Sequence, residues 1–140
     1  MVCILILGGL GSGKTLFMTI LAKMIAKPIF SNYALKFSDI AVKPLEIEKL
    51  FHSEYQNCCV LMDEAYIYLE SRISGSEMNR CLSYVLFQSR KRGVILILTA
   101  QLSSSVDVRF RELVDIVIHC EKMGDCYRYQ LQLVKEEPIR

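Results

Sequence analysis

Eight residues near the start of the chain, Gly8-Gly9-Leu10-Gly11-Ser12-Gly13-Lys14-Thr15, set glycines, a lysine and a hydroxyl in the spacing G-x-x-x-x-G-K-[ST]. Glycines let the backbone turn several N–H groups onto one anion, and a helix beginning directly afterwards adds its positive end. The guest that suits such a loop is a nucleoside triphosphate. Lys14 would reach the β- and γ-phosphates, the Thr15 hydroxyl would hold Mg²⁺, and the backbone from Gly8 to Leu16 would cradle the rest. A dinucleotide fingerprint is excluded, because reading G-x-G from Gly9 and Gly11 puts Lys14 where the third glycine must stand.

A second set of reactive groups follows in Val60-Leu61-Met62-Asp63-Glu64, an apolar run ending in two adjacent carboxylates. Asp63 at the end of such a strand can bind Mg²⁺ opposite Thr15, and Glu64 can act as general base toward an attacking water. Farther on, Thr99-Ala100-Gln101 ends another apolar run, so the Gln101 amide falls at the sheet edge where open α/β folds bind ligands. There it could orient the water or sense the γ-phosphate.

These groups need a scaffold, and the hydrophobic pattern supplies one. Val2 to Leu7 reads as a buried strand and Leu16 to Ala26 as the helix after the loop. A second strand is expected over Lys27 to Tyr33, with Pro28 at its entrance where a missing N–H does least harm. Residues 34 to 43 look irregular, and Pro44 is expected to open a helix reaching about Tyr55. Cys58 to Met62 forms a third strand, and a helix capped by Ser74 or Ser76 runs to Ser89, carrying Leu82, Val85 and Leu86 at helical spacing until Gly93 stops it. Val94 to Thr99 is the fourth strand. A short helix over Val106 to Leu113 then precedes a hairpin of Asp115 to Cys120 and Cys126 to Val134. Alternating strands and helices imply a mainly parallel sheet with a terminal hairpin.

Composition agrees with this reading. At 140 residues the expectation is a single domain without extra modules, and 52% hydrophobic residues suit a sheet covered on both faces. No stretch is long enough to span a bilayer, and the apolar N-terminus lacks a basic flank, which leaves a cytoplasmic protein as the expectation. A net charge of +2 does not by itself advertise nucleic-acid binding, although Arg80, Arg90, Lys91, Arg92, Arg109 and Arg111 lie within one third of the chain. The six cysteines do not by themselves indicate a disulfide framework, and Cys3, Cys58 and Cys59 lie in expected strands, where cysteine behaves as a small hydrophobe. Cys120 and Cys126 flank a Gly124-containing turn and could face each other across the hairpin, the one place where a disulfide is conceivable. His119, Cys120 and Cys126 lack zinc-ligand spacing.

The loop, the Asp-Glu strand and the strand ending in Gln together resemble the FtsK/HerA superfamily of pumping and packaging ATPases. Ser89 to Gln101 is similar to that group's Arg-x-x-Gly, apolar strand, Thr/Ala and Gln signature, and Val106-Asp107 follows as it often does there. Gly13-Lys14-Thr15-Leu16 with Ile29 to Leu35 also resembles the zonular occludens toxin type of ATPase domain in filamentous phage assembly proteins. The resemblance covers residues 1 to about 121. It implies a RecA/ASCE-like P-loop fold with the five main strands in the order 5-1-4-3-2, a ring-shaped homo-oligomer, Mg²⁺-ATP hydrolysis between subunits and movement of DNA. It also implies capsid or assembly proteins as partners. In such rings an arginine often reaches a neighbour's γ-phosphate, and Arg90, ahead of Gly93, holds the matching position, with Arg109 and Arg111 as competitors. The chain is shorter than most members and lacks the membrane segment of the phage assembly proteins.

Three functions remain open at this point. The first is an ATPase motor for viral or plasmid DNA packaging, translocation or virion assembly. The second is a small P-loop kinase, which would need an arginine-rich lid and an acceptor pocket. The third is an assembly scaffold that binds ATP with little turnover. No Asn-Lys-x-Asp guanine reader occurs in the sequence, so ATP is the expected nucleotide.

Overall fold

The structure is a computed structural model that describes residues 3–52, 54–70, 92–101 and 114–134. Its centre is β1 (Cys3–Gly8), whose six residues are all buried. A strand buried on both sides needs apolar residues at every position, and alternate side chains here enter two different cores. Ile4 and Ile6 join Met18, Ala22, Ile97 and Ile118 beneath α1 (Lys14–Ile25), while Cys3, Leu5 and Leu7 join Val60, Met62, Leu96 and Leu98 on the opposite face.

Around β1 lie β2 (Ile29–Ser31), β3 (Val42–Pro44), β4 (Cys59–Met62), β5 (Ile95–Gln101), β6 (Ile116–Met123) and β7 (Cys126–Leu133). Short helices α2 (Ile47–Phe51) and α3 (Ala65–Glu70) complete the described elements. The sheet order is β3-β2-β4-β5-β1-β6-β7, with only the β6–β7 pair antiparallel. The five strands expected from the sequence therefore take the expected order, which reads β6-β1-β5-β4-β2 in these labels. Asp115 sets the register at one junction: its carboxylate accepts the Cys3 N–H at 2.8 Å and its own N–H donates to the Cys3 carbonyl at 2.9 Å.

Three expectations need correction. Residues 34–43 are not wholly irregular, because Val42 begins β3, which pairs in parallel with β2. Pro44 ends that edge strand instead of opening a helix, since an edge is where a residue without an N–H is tolerated, and α2 starts only at Ile47. Cys120 and Cys126 do not face each other. Cys120 pairs with Tyr129 and Cys126 with Met123 around the two-residue turn Gly124–Asp125, which puts the two thiols on opposite faces, both free. The strands run three pairs beyond Cys120 because β1 stops pairing with β6 there, and Glu121 and Lys122 extend into solvent with only β7 beside them. The expected helices over 74–89 and 106–113, with Leu82, Val85 and Leu86, lie outside the described residues. No helix among the described residues is long and apolar enough to cross a membrane.

Candidate active site

The loop from Gly9 to Gly13 leaves the carboxyl end of β1 and delivers the chain into α1. Gly13 caps that helix in the left-handed conformation, φ +86°, which only glycine adopts without strain. Space is as restrictive as φ, for a Cβ on Gly13 would lie 2.8 Å from the Tyr129 hydroxyl oxygen and 2.9 Å from Tyr127 Cδ1. Gly8 is equally confined, its Cβ position being 2.3 Å from Ser12 Oγ and 2.8 Å from the Cys120 carbonyl. Lys14 is buried, and its Nζ donates to the Gly8 carbonyl at 3.0 Å and the Gly9 carbonyl at 2.8 Å. These bonds hold a positive charge inside the curve of the loop. Ser12 Oγ is buried without a hydrogen-bond partner among the described residues, while Leu10 and Leu16 stand exposed.

Strands β4, β5 and β1 are adjacent and parallel, so their carboxyl ends bring the second set of groups to the same loop. Met62 pairs with Leu98 and Ile6 with Thr99, which places Asp63, the residue just past β4, beside Thr99 and close to Thr15. Asp63 Oδ1 accepts the Thr15 hydroxyl at 3.0 Å and the Thr99 hydroxyl at 2.6 Å. The same Thr99 oxygen accepts the Glu64 N–H at 2.9 Å. One fully buried hydroxyl thus ties together the two acidic residues. Asn32, just past β2, holds the Asp63 peptide from the other side: its Nδ2 donates to the Asp63 carbonyl at 2.8 Å and its Oδ1 accepts the Asp63 N–H at 2.7 Å. Thr19, one turn along α1, donates to the Thr15 carbonyl and also bonds the Tyr33 hydroxyl at 2.8 Å.

Glu64 has φ +49°, a left-handed backbone that a non-glycine residue adopts at a cost. It is the turn between β4 and α3, and Tyr68 N–H donates to its carbonyl at 3.0 Å. Gln101 ends β5 in register with Gly8, exposed at the rim. The loop, Thr15, Asp63, Glu64 and Gln101 therefore lie together at the carboxyl ends of β1, β4 and β5. Arg90, Arg109 and Arg111 lie outside the described residues. Sequence reasoning missed the roles of Asn32 and Thr99; each is a polar residue at the end of an apolar strand, and that signal was available.

The donor set fits Mg²⁺. This ion keeps several waters and takes one or two protein oxygens together with substrate phosphates, so it needs no cage of carboxylates. Thr15 Oγ1 and Asp63 Oδ1 stand 3.0 Å apart and could both turn to it. Among the described residues there is no cluster of three or more His, Cys, Asp or Glu side chains that could hold another metal. Burial pushes the Cys58 and Cys120 thiols up to about 11 and Cys59 up to about 12.

Residues 4–122 match the model of the ATPase family associated with various cellular activities (AAA). The fold is similar to the N-terminal domain of zonular occludens toxin from Neisseria meningitidis, with a TM-score of 0.68 and 20% identity over 97% of this chain and 85% of that one. It is also similar to the genome packaging NTPase B204 from Sulfolobus turreted icosahedral virus 2 in complex with ATP-gammaS, with a TM-score of 0.58 and 17% identity over 89% and 77% of the two chains. The RadB recombinase shares the fold with a TM-score of 0.66 and 14% identity over 98% and 83%. No curated protein sequence matches.

Proposed function

The chain belongs to the ATPase family associated with various cellular activities, an ATP-hydrolysing P-loop domain, and on that premise we propose that it is a Mg²⁺-dependent motor for packaging or translocating viral or plasmid DNA, or for virion assembly. The observation that carries the chemistry is the shared hydroxyl of Thr99, which joins Asp63 to Glu64 beside the phosphate loop. Loop amides from Gly9 to Thr15 bind the phosphates, and Lys14 sets its charge against the β- and γ-oxygens. Thr15 and Asp63 hold Mg²⁺, which when bound neutralises charge developing on those oxygens. Glu64 accepts the proton of the attacking water, and Gln101 orients that water.

The strained backbone of Glu64 supports this role, because such strain persists where surrounding bonds over-determine a conformation, as the Thr99 bond does here. The motor assignment is supported by the family resemblance and by the fold shared with the packaging NTPase B204 and the zonular occludens toxin domain. In this reading the active form is a homo-oligomeric ring around DNA, the whole chain is one ATPase domain, and Arg90 of one subunit reaches the γ-phosphate of the next. Phosphate release by the purified protein, measured with and without double- and single-stranded DNA, tests the proposal. A motor hydrolyses ATP faster with one of these DNAs; a rate indifferent to both contradicts the DNA assignment while leaving the ATPase intact.

A further inference from the structure

The phosphate loop has two sides, and the residues described so far define only one. Thr15, Asp63 and Glu64 mark the β4 side, where the metal-binding and water-activating groups collect and the γ-phosphate must therefore sit. In the sheet, β1 lies between β5 and β6, so a triphosphate extending away from Asp63 runs toward the β6–β7 hairpin. Two tyrosines meet it there. Tyr127 and Tyr129 alternate along β7 on the face shared with Cys120 and Ile118, and both reach Gly13, the residue that opens α1.

The two rings are held differently. Tyr129 is locked: its hydroxyl donates to the Gly13 carbonyl at 3.3 Å and its ring packs on Phe17 with centroids 4.3 Å apart. Tyr127 lies nearly parallel to Tyr129, 6.4 Å between centroids and 25° between planes, yet it remains 42% exposed. A large aromatic ring kept half-open beside a glycine-rich loop, with a fixed ring behind it, is built to be covered by another flat group. A base joined through a ribose to the α-phosphate arrives at this side of the loop.

We propose that Tyr127 is the stacking surface for the nucleotide's base and that Tyr129 positions it by fixing the hairpin to Gly13, an inference that rests on the triphosphate reading of the loop. Stacking uses the π-face that every base possesses, so the tyrosine supplies affinity for the nucleoside part and reads no base edge. The hairpin thereby becomes part of the binding site, and the exposed polar end of β6 and β7 beyond Cys120 is the arm that carries it.

Direct binding of Mg²⁺-ATP and of Mg²⁺-tripolyphosphate to the full chain tests this, since the two probes share the phosphates and differ in the nucleoside. Tyr127→Ala is expected to weaken ATP binding by about 5- to 150-fold, the range that loss of base–aromatic stacking gives, and to leave tripolyphosphate binding unchanged. Tyr127→Phe keeps the ring face and is expected to bind both probes as the wild type does. Unchanged ATP affinity in Tyr127→Ala overturns the proposal, and so does an equal loss for both probes, which would mean that the loop itself had been damaged. If the wild type binds neither probe, the phosphate-loop reading fails and the base seat falls with it.

Discussion

Thr99 is the residue through which the structure makes its sharpest demand. It is fully buried, and its single hydroxyl donates to Asp63 at 2.6 Å while accepting the Glu64 N–H at 2.9 Å. Thr99→Val preserves the branched shape and removes both bonds. A bond to an ionised acceptor is worth about 1.5–3 kcal/mol, and an N–H left without a partner costs about 1–3 kcal/mol more. The losses are less than additive, because Asp63 keeps the Thr15 hydroxyl and the half-buried Glu64 peptide can recover water, so about 2–4 kcal/mol is expected. Thr99→Ser keeps the hydroxyl and loses only a methyl, about 0.5–1.5 kcal/mol. Urea unfolding of the two variants reads the difference directly. Glu64 is also released from its left-handed turn, so phosphate release should fall at least tenfold in Thr99→Val and stay within a few-fold of wild type in Thr99→Ser. Equal stability and equal turnover in the two variants would refute the claim that this hydroxyl organises the site.

Glycine substitutions in the loop should separate conformation from crowding: Gly11→Ala, φ +71° with nothing within 4 Å of its Cβ, should cost only about 1–2 kcal/mol for the left-handed backbone, whereas Gly13→Ala must also displace Tyr127 and Tyr129, for a total of about 2–4 kcal/mol by urea unfolding. Among the described cysteines, native alkylation followed by mass spectrometry should label exposed Cys126 and spare Cys58, Cys59 and Cys120. Burial pushes Cys58 and Cys120 up to about 11 and Cys59 up to about 12, above the ~8.5 of an unfolded thiol, so the folded chain binds more protons in that window. Their contribution to stability is therefore complete below pH ~8.5 and lost as pH rises toward those values, which unfolding midpoints measured from pH 8 to 11 would show as a steady fall.

The parts of this fold that could be read from the sequence are those whose physics is local. The loop, its strand and its helix are contiguous, and Asp63-Glu64 closes an apolar run, so types and spacing identified the groups before their geometry was known. The bonds that make them a site are long-range. Thr99 is 36 residues from Asp63 and Asn32 is 31 residues from it, and only the adjacency of β2, β4 and β5 brings them together. The hairpin is legible in the sequence but the extent of its turn is not: Glu121 and Lys122 look like turn residues because they are polar, yet they are polar because β6 has outrun β1 there, and the Glu121–Arg128 ion pair at 2.6 Å spans the two extended strands. Strand β3 escaped notice because a three-residue edge strand ending in proline offers no periodicity.

Glu64→Gln, assayed side by side for ATP binding and for phosphate release, separates general-base catalysis from nucleotide binding. The amide keeps the size of the side chain and its capacity to hydrogen-bond but removes the base, and the Glu64 N–H that bonds Thr99 is untouched. The variant is expected to bind Mg²⁺-ATP with wild-type affinity while turnover falls by about 10²–10⁴-fold. Hydrolysis at the wild-type rate would contradict general-base catalysis by Glu64.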